Sequence, residues 1–129
     1  MLAIEVDLDG AVPIYQQIAD GIRSLIARGA LGDGAVLPSV RRLGAQVGVN
    51  LNTVARAYRI LAEDGLVDLK QGAAARVRAS ERKGARRKPV LDDDARRKLF
   101  DLFSRWTLEG ATQKQIERAL ESASAEFFA

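Results

Sequence analysis

Residues Leu37 to Leu69, LPSVRRLGAQVGVNLNTVARAYRILAEDGLVDL, decide the reading of the whole chain. The stretch holds two short amphipathic segments, a tight turn between them and a β-prone run at its end. Leu37-Pro38-Ser39 stops an extended segment, and Ser39 is placed to cap a helix carrying Val40, Leu43 and Val47 on one side. Gly48-Val49 makes the turn, Asn50 caps a second helix, and Gly65 ends it. At about 100° per residue, Val54, Ala57, Tyr58 and Leu61 share one face of that second helix. Asn52, Arg56 and Arg59 fall opposite, within a sector about 60° wide. An apolar back with a narrow front of Asn and Arg suits a major-groove helix, because Arg pairs with guanine O6 and N7 and Asn with adenine. A merely solvated helix also carries arginines. The helix-turn-helix spacing decides between the two.

Outside this stretch, composition sets bounds. The chain has 129 residues, enough for one domain with an appendage or two very small units. So small a core makes an obligate partner subunit plausible. A net charge of +3 and a pI near 9.6 suit an anionic partner. There is no Cys, hence no disulfide or thiolate chemistry, and no His, hence neither the usual general base nor the commonest metal ligand. The opening MLAIEVDLDG lacks the basic region and long apolar run of a signal peptide, and no later stretch approaches a membrane span. A soluble, cytoplasmic protein without a membrane partner is expected.

Upstream, Leu2, Ile4, Val6 and Leu8 alternate with small or acidic residues, which predicts a short strand or extended arm turned by Asp9-Gly10. Pro13 suits the first turn of a helix running to about Arg28, with Ile14, Ile18, Ile22, Leu25 and Ile26 as its buried stripe and Gly29 at its end. Gly32-Asp33-Gly34 is a turn and Ala35-Val36-Leu37 a brief strand. Downstream, Leu66-Val67-Asp68-Leu69 should pair with Arg76-Val77-Arg78 around a loop at Lys70 to Ala75, forming a β-hairpin.

Residues 79–91, ASERKGARRKPVL, read as a basic linker, either a solvated hinge or an arm whose Arg82, Lys83, Arg86, Arg87 and Lys88 neutralise phosphates. Asp92-Asp93-Asp94 starts a helix, where the macrodipole favours carboxylates; nothing nearby completes a metal shell, and no cofactor is expected. Ala95, Leu99, Leu102, Phe103 and Trp106 follow at helical spacing with Phe100 beside them, and Gly110 breaks the helix. Thr112 with Gln115 forms a capping box for a last helix bearing Ile116, Ala119, Leu120 and Ala123, and Phe127-Phe128 finish the chain. Five of the seven aromatics lie between residues 100 and 128, more than two short helices can bury against each other. Either the first helix of the same chain or a second copy must cover them. A two-fold pair is the favoured answer, with Leu99, Phe100, Leu102, Phe103, Trp106, Ile116, Leu120 and Phe127 as its contacts.

Pro13-Ile14-Tyr15-Gln16-Gln17-Ile18, Leu37-Pro38-Ser39-Val40-Arg41-Arg42-Leu43, Gly48-Val49-Asn50, Asn52-Thr53-Val54 and Glu63-Asp64-Gly65-Leu66-Val67 together resemble the GntR family of bacterial winged-helix repressors. The likeness covers roughly residues 10 to 78, and its order and spacing are specific. The short tail resembles the YtrA-type branch, which implies a small helical dimerisation unit and control of a neighbouring transporter operon. The implied fold is mainly α with a small β-wing: a winged helix-turn-helix at 1–78, the linker at 79–91 and a two-helix dimerisation tail at 92–129.

The resemblance implies a homodimeric regulator on a double-stranded operator. Asn52, Thr53 and Arg56 would reach base edges, while Ser39, Arg41, Asn50, Arg59, Lys70 and Gly72 would hold phosphates, Ser39 and Gly72 through backbone N–H groups. Many relatives place Arg where this chain has Leu51 and Ala55, so no base-reading role transfers there. The wing also departs from the family pattern: Lys70-Gln71-Gly72-Ala73-Ala74-Ala75-Arg76-Val77 lacks the second Gly, the Thr and the aromatic, leaving Lys70, Gln71 and Arg76 as its polar contacts. Residues 92–129 are too few to enclose a typical pocket of roughly 300 Å³ or more, and no residue names a small-molecule effector. The runner-up is a winged-helix module for protein–protein contact, which salt sensitivity would separate from a DNA binder. An enzyme has no acid–base or nucleophilic constellation to rest on.

Overall fold

The structure, a computed structural model, describes residues 2–70, 72–78 and 92–129. Gln71 and the whole predicted linker at 79–91 lie outside the described residues. The described residues contain five helices and one two-stranded sheet: α1 Ile14–Ala27, α2 Val40–Val47, α3 Leu51–Glu63, β1 Val67–Asp68, β2 Arg76–Val77, α4 Asp93–Leu108 and α5 Gln113–Phe127. They divide into two compact units, an N-terminal head carrying α1 to β2 and a C-terminal tail carrying α4 and α5. The fold is mainly α with a small β-wing, as expected. No described helix is long and apolar enough to cross a membrane.

The head core follows from the helical periods. From α1 it takes Ile18, Ala19, Ile22 and Ile26, from α2 Leu43, and from α3 Val54, Ala57, Tyr58 and Leu61. Leu37, Val67, Ala75 and Val77 close it beneath the wing. Each fully buried Ile, Leu or Val contributes roughly 1.5–3 kcal/mol through surface removed from water. The α3 helix packs against both α1 and α2, so its inward side is fully committed.

The first described residues form an extended arm without a ladder partner among the described residues. Leu2, Ile4 and Val6 pack against the core while Leu8 stays exposed, so the alternation is kept. Gln17 holds the arm at its turn: its Nε2 donates to the carbonyls of Asp7 and Val12, and its Oε1 accepts from the Asp7 N–H. Gln46 Nε2 donates to the Leu2 carbonyl at 2.6 Å and ties the arm to α2. At the far end of α1, Arg23 pairs with both Asp20 and Asp64, locking α1 to the last turn of α3.

The hairpin pairs Val67 with Val77 and Asp68 with Arg76, antiparallel. The paired stretch is shorter than expected, although the Arg78 N–H still reaches the Leu66 carbonyl at 2.8 Å. The brief strand expected at 35–37 docks on its other edge. Val36 bridges Arg76, and N–H groups of Gly34 and Leu37 donate to Val77 and Ala75.

In the tail, Asp92 caps α4 by accepting from the Ala95 N–H at 3.0 Å, and Asp94 pairs with Arg97 and Lys98. The capping box of α5 forms in both directions between Thr112 and Gln115. No residue of either tail helix is fully buried.

Candidate nucleic-acid interface

The helix-turn-helix is built from local caps and one close approach. Ser39 Oγ accepts from the Arg42 N–H at 3.1 Å, and Asn50 Oδ1 accepts from the Asn52 N–H at 2.7 Å. As a cap the Ser39 hydroxyl accepts one bond and keeps its O–H free to donate. Gly48 takes φ 74°, a left-handed conformation that turns the chain out of α2 at little cost only in glycine. The turn then passes directly over Gly44. A Cβ there would lie 2.8 Å from the Val49 carbonyl oxygen, so α2 must be bare at that point. Tyr58, in the middle of α3, donates its hydroxyl to the Pro38 carbonyl at 2.6 Å and fixes the middle of α3 to the start of α2. Burial pushes this phenol up from 10.0 to about 12.

Asn52, Arg56 and Arg59 are exposed on α3 while Val54, Ala57, Tyr58 and Leu61 are buried behind them. Thr53 is half-buried at the first turn. Glu63 continues the exposed stripe, an acidic end that the arginine pattern did not suggest. Arg41 is exposed on α2, as is Arg42, which was not singled out in the sequence.

Their charge environment is distinctive. Among the described residues, Arg41, Arg42 and Arg59 take part in no ion pair or hydrogen bond through their side chains. Several cations elsewhere are ion-paired, Arg23 with two aspartates and Arg97, Lys98 and Arg105 with Asp94 and Asp101, while Lys114 and Arg118 of the tail have no such pair among the described residues. Arg56 is also without a carboxylate; its guanidinium carbon sits 3.8 Å above the ring of Tyr15 on α1. Tyr15 belongs to the Pro13–Ile18 motif, yet nothing in the sequence connected it to α3.

The wing side chains are placed less uniformly. Lys70 is exposed, with its Nζ 3.8 Å from Asp68, and Gly72 lies in the turn at the wing tip. Ala73 and Ala74 are exposed and Ala75 is buried. Arg76 is exposed but braced, its guanidinium donating to the Gly34 carbonyl at 3.3 Å.

In the tail, Leu99 and Phe100 are exposed, and Leu102, Phe103, Trp106, Ile116, Leu120 and Phe127 are half-buried. Two open grooves run along it, of about 570 and 430 Å³, sharing Phe103 and Thr107 as walls. Leu108 at 89% and Phe128 at 80% exposure are its barest apolar side chains, and neither was among the expected contacts. The four-residue spacing of Phe100, Ser104 and Leu108 was the available signal for Leu108.

Three helices with a small β-wing, α3 turning a cationic face outward, define the winged helix-turn-helix class. The comparisons with known proteins agree. The chain matches the family described as bacterial regulatory proteins, gntR family, over residues 14–77. It is 36% identical over 69 residues to the HTH-type transcriptional repressor YtrA of Bacillus subtilis (strain 168), covering 54% of this chain and 53% of that one. Among solved structures it is similar to YtrA from Sulfolobus acidocaldarius, a GntR-family transcription factor, with 34% identity, a TM-score of 0.59, and coverage of 78% of this chain and 97% of that chain. It is also similar to the AraR DNA-binding domain in complex with operator ORX1, with 29% identity, a TM-score of 0.53, and coverage of 57% and 95%. The chain belongs to the GntR family of DNA-binding transcription regulators. The matched stretch spans about half the length of the Bacillus repressor.

Proposed function

We propose that this chain is a cytoplasmic transcriptional repressor that reads a palindromic operator as a homodimer. The α3 helix enters the major groove with Asn52, Thr53 and Arg56 at base edges. Ser39, Arg41, Asn50, Arg59, Lys70 and Gly72 hold phosphates, Ser39 and Gly72 chiefly through backbone N–H groups, and Gln71 and Arg76 add wing contacts. Residues 1–78 form the DNA-binding head, 79–91 the linker and 92–129 the dimerisation tail. One observation carries this reading. Arg41, Arg42, Arg56 and Arg59, all exposed on the two packed helices of the helix-turn-helix, lack carboxylate partners among the described residues. Such a surface gains free energy by releasing the counterions of a polyanion. The repressor of Bacillus subtilis and the operator-bound AraR domain support the same reading by similarity.

The test is a titration of the duplex upstream of the protein's own gene across a series of salt concentrations. Affinity should fall steeply and log-linearly with salt, and Arg56→Ala should weaken it by about 1–3 kcal/mol at fixed salt without unfolding the protein. Salt-insensitive or absent binding would point instead to a protein–protein module.

A further inference from the structure

Tyr15 is the second residue of α1, half-buried, in a part of the head that the helix-turn-helix itself does not include. Its ring lies under Arg56, with the guanidinium carbon 3.8 Å from the centroid. That is contact distance for a guanidinium over an aromatic face, where the ring's quadrupole attracts the cation. The face of the guanidinium is thereby used and its N–H edge is left for other partners. No described residue hydrogen-bonds or ion-pairs with that edge. The Tyr15 hydroxyl likewise has no hydrogen bond to a described residue. Among the described residues, the ring is the partner that orients the guanidinium.

A long cation near DNA has two kinds of partner. Phosphates surround the groove and accept it from many directions, carrying no sequence information, while a base edge accepts it only in one plane. An arginine free to wander takes phosphates as readily as bases. We propose that Tyr15 is the positioning residue for Arg56, fixing the guanidinium in the plane from which it reads one base pair. The inference rests on the DNA-binding reading above and assigns to α1 a share in specificity.

The experiment uses the full chain and the best duplex it selects from a randomised library, together with all single-base-pair variants of that duplex. In the unmodified protein one base pair should depend on Arg56, identified by its loss of discrimination in Arg56→Ala. Tyr15→Leu should reduce discrimination at that pair by about tenfold, leaving the other pairs and binding to unrelated duplex unchanged. Tyr15→Phe, which keeps the ring, should behave as the unmodified protein. Tyr15→Leu should add nothing in an Arg56→Ala background. Retained discrimination in Tyr15→Leu, an equal loss in Tyr15→Phe, or a loss spread evenly over all base pairs would each overturn the proposal. If the library yields no preferred sequence at all, the DNA-reading function itself fails, a result distinct from the other three. A second readout needs no variant: in the DNA-free protein the Arg56 δ-protons should show an upfield ring-current shift, and their absence from that region would sink the stacking.

Discussion

Tyr58 combines an apolar ring in the core with a hydroxyl spent on the Pro38 carbonyl, and both bear on how the protein meets alkali. Its phenol is raised from 10.0 to about 12 because burial penalises the phenolate. The folded state thus holds the proton more tightly than the unfolded chain. The stability contributed is fully present below pH 10 and is lost as pH rises through about 12. Tyr58→Phe should therefore lower the melting temperature at neutral pH, by about 1–2 kcal/mol of stability for the abandoned carbonyl, yet flatten the decline between those two pH values. Melting curves of both proteins across that range check this, and parallel curves would contradict it. That Tyr58 faces inward was legible, since helical period alone puts it with Val54 and Leu61. Its partner Pro38, twenty residues away, was not. The same holds for Tyr15 and Arg56: each lay in a recognised motif, but their meeting depends on how α1 crosses α3, which no local pattern encodes.

Among the elements, those defined by their own ends were the most legible. Ser39, Asn50 and Thr112 cap the helices they were expected to cap, and Asp92 caps the helix expected to start within the three aspartates, because a cap is a contact within a few residues. The wing was legible in pairing and less so in extent, since only two residues on each side form the ladder. What local reasoning missed was the packing of α2 beneath its own turn. Nothing in the sequence singled out Gly44, whose missing Cβ is what lets the Val49 carbonyl pass. Gly44→Val should destabilise the head by about 1–3 kcal/mol through overpacking against backbone. Chemical denaturation of the full chain measures this. An unchanged midpoint would mean that the turn yields more easily than its geometry implies.

At the scale of the whole molecule, the tail is the part whose sequence and structure both ask for a partner. Its helices bury no residue fully, and Phe100, Leu108 and Phe128 stand exposed along them. Hydrophobic side chains in a pair of short helices cannot cover one another, so burial awaits a second surface. If that surface is another copy, deletion of residues 92–129 should leave a monomeric head that binds a two-half-site operator far more weakly. Sedimentation of the intact and shortened chains decides it, and an intact chain that is monomeric at micromolar concentration would refute the dimer.

The bare arginines of α2 and α3 have one more consequence, which concerns the moments before contact. Arg41, Arg42, Arg56 and Arg59 have no carboxylate partner among the described residues, so positive charge is concentrated on α2 and α3. The field of a polyanion exerts a torque on such a body and turns it as it drifts in. A head approaching a polyanion is thereby turned to present α2 and α3 before any contact forms.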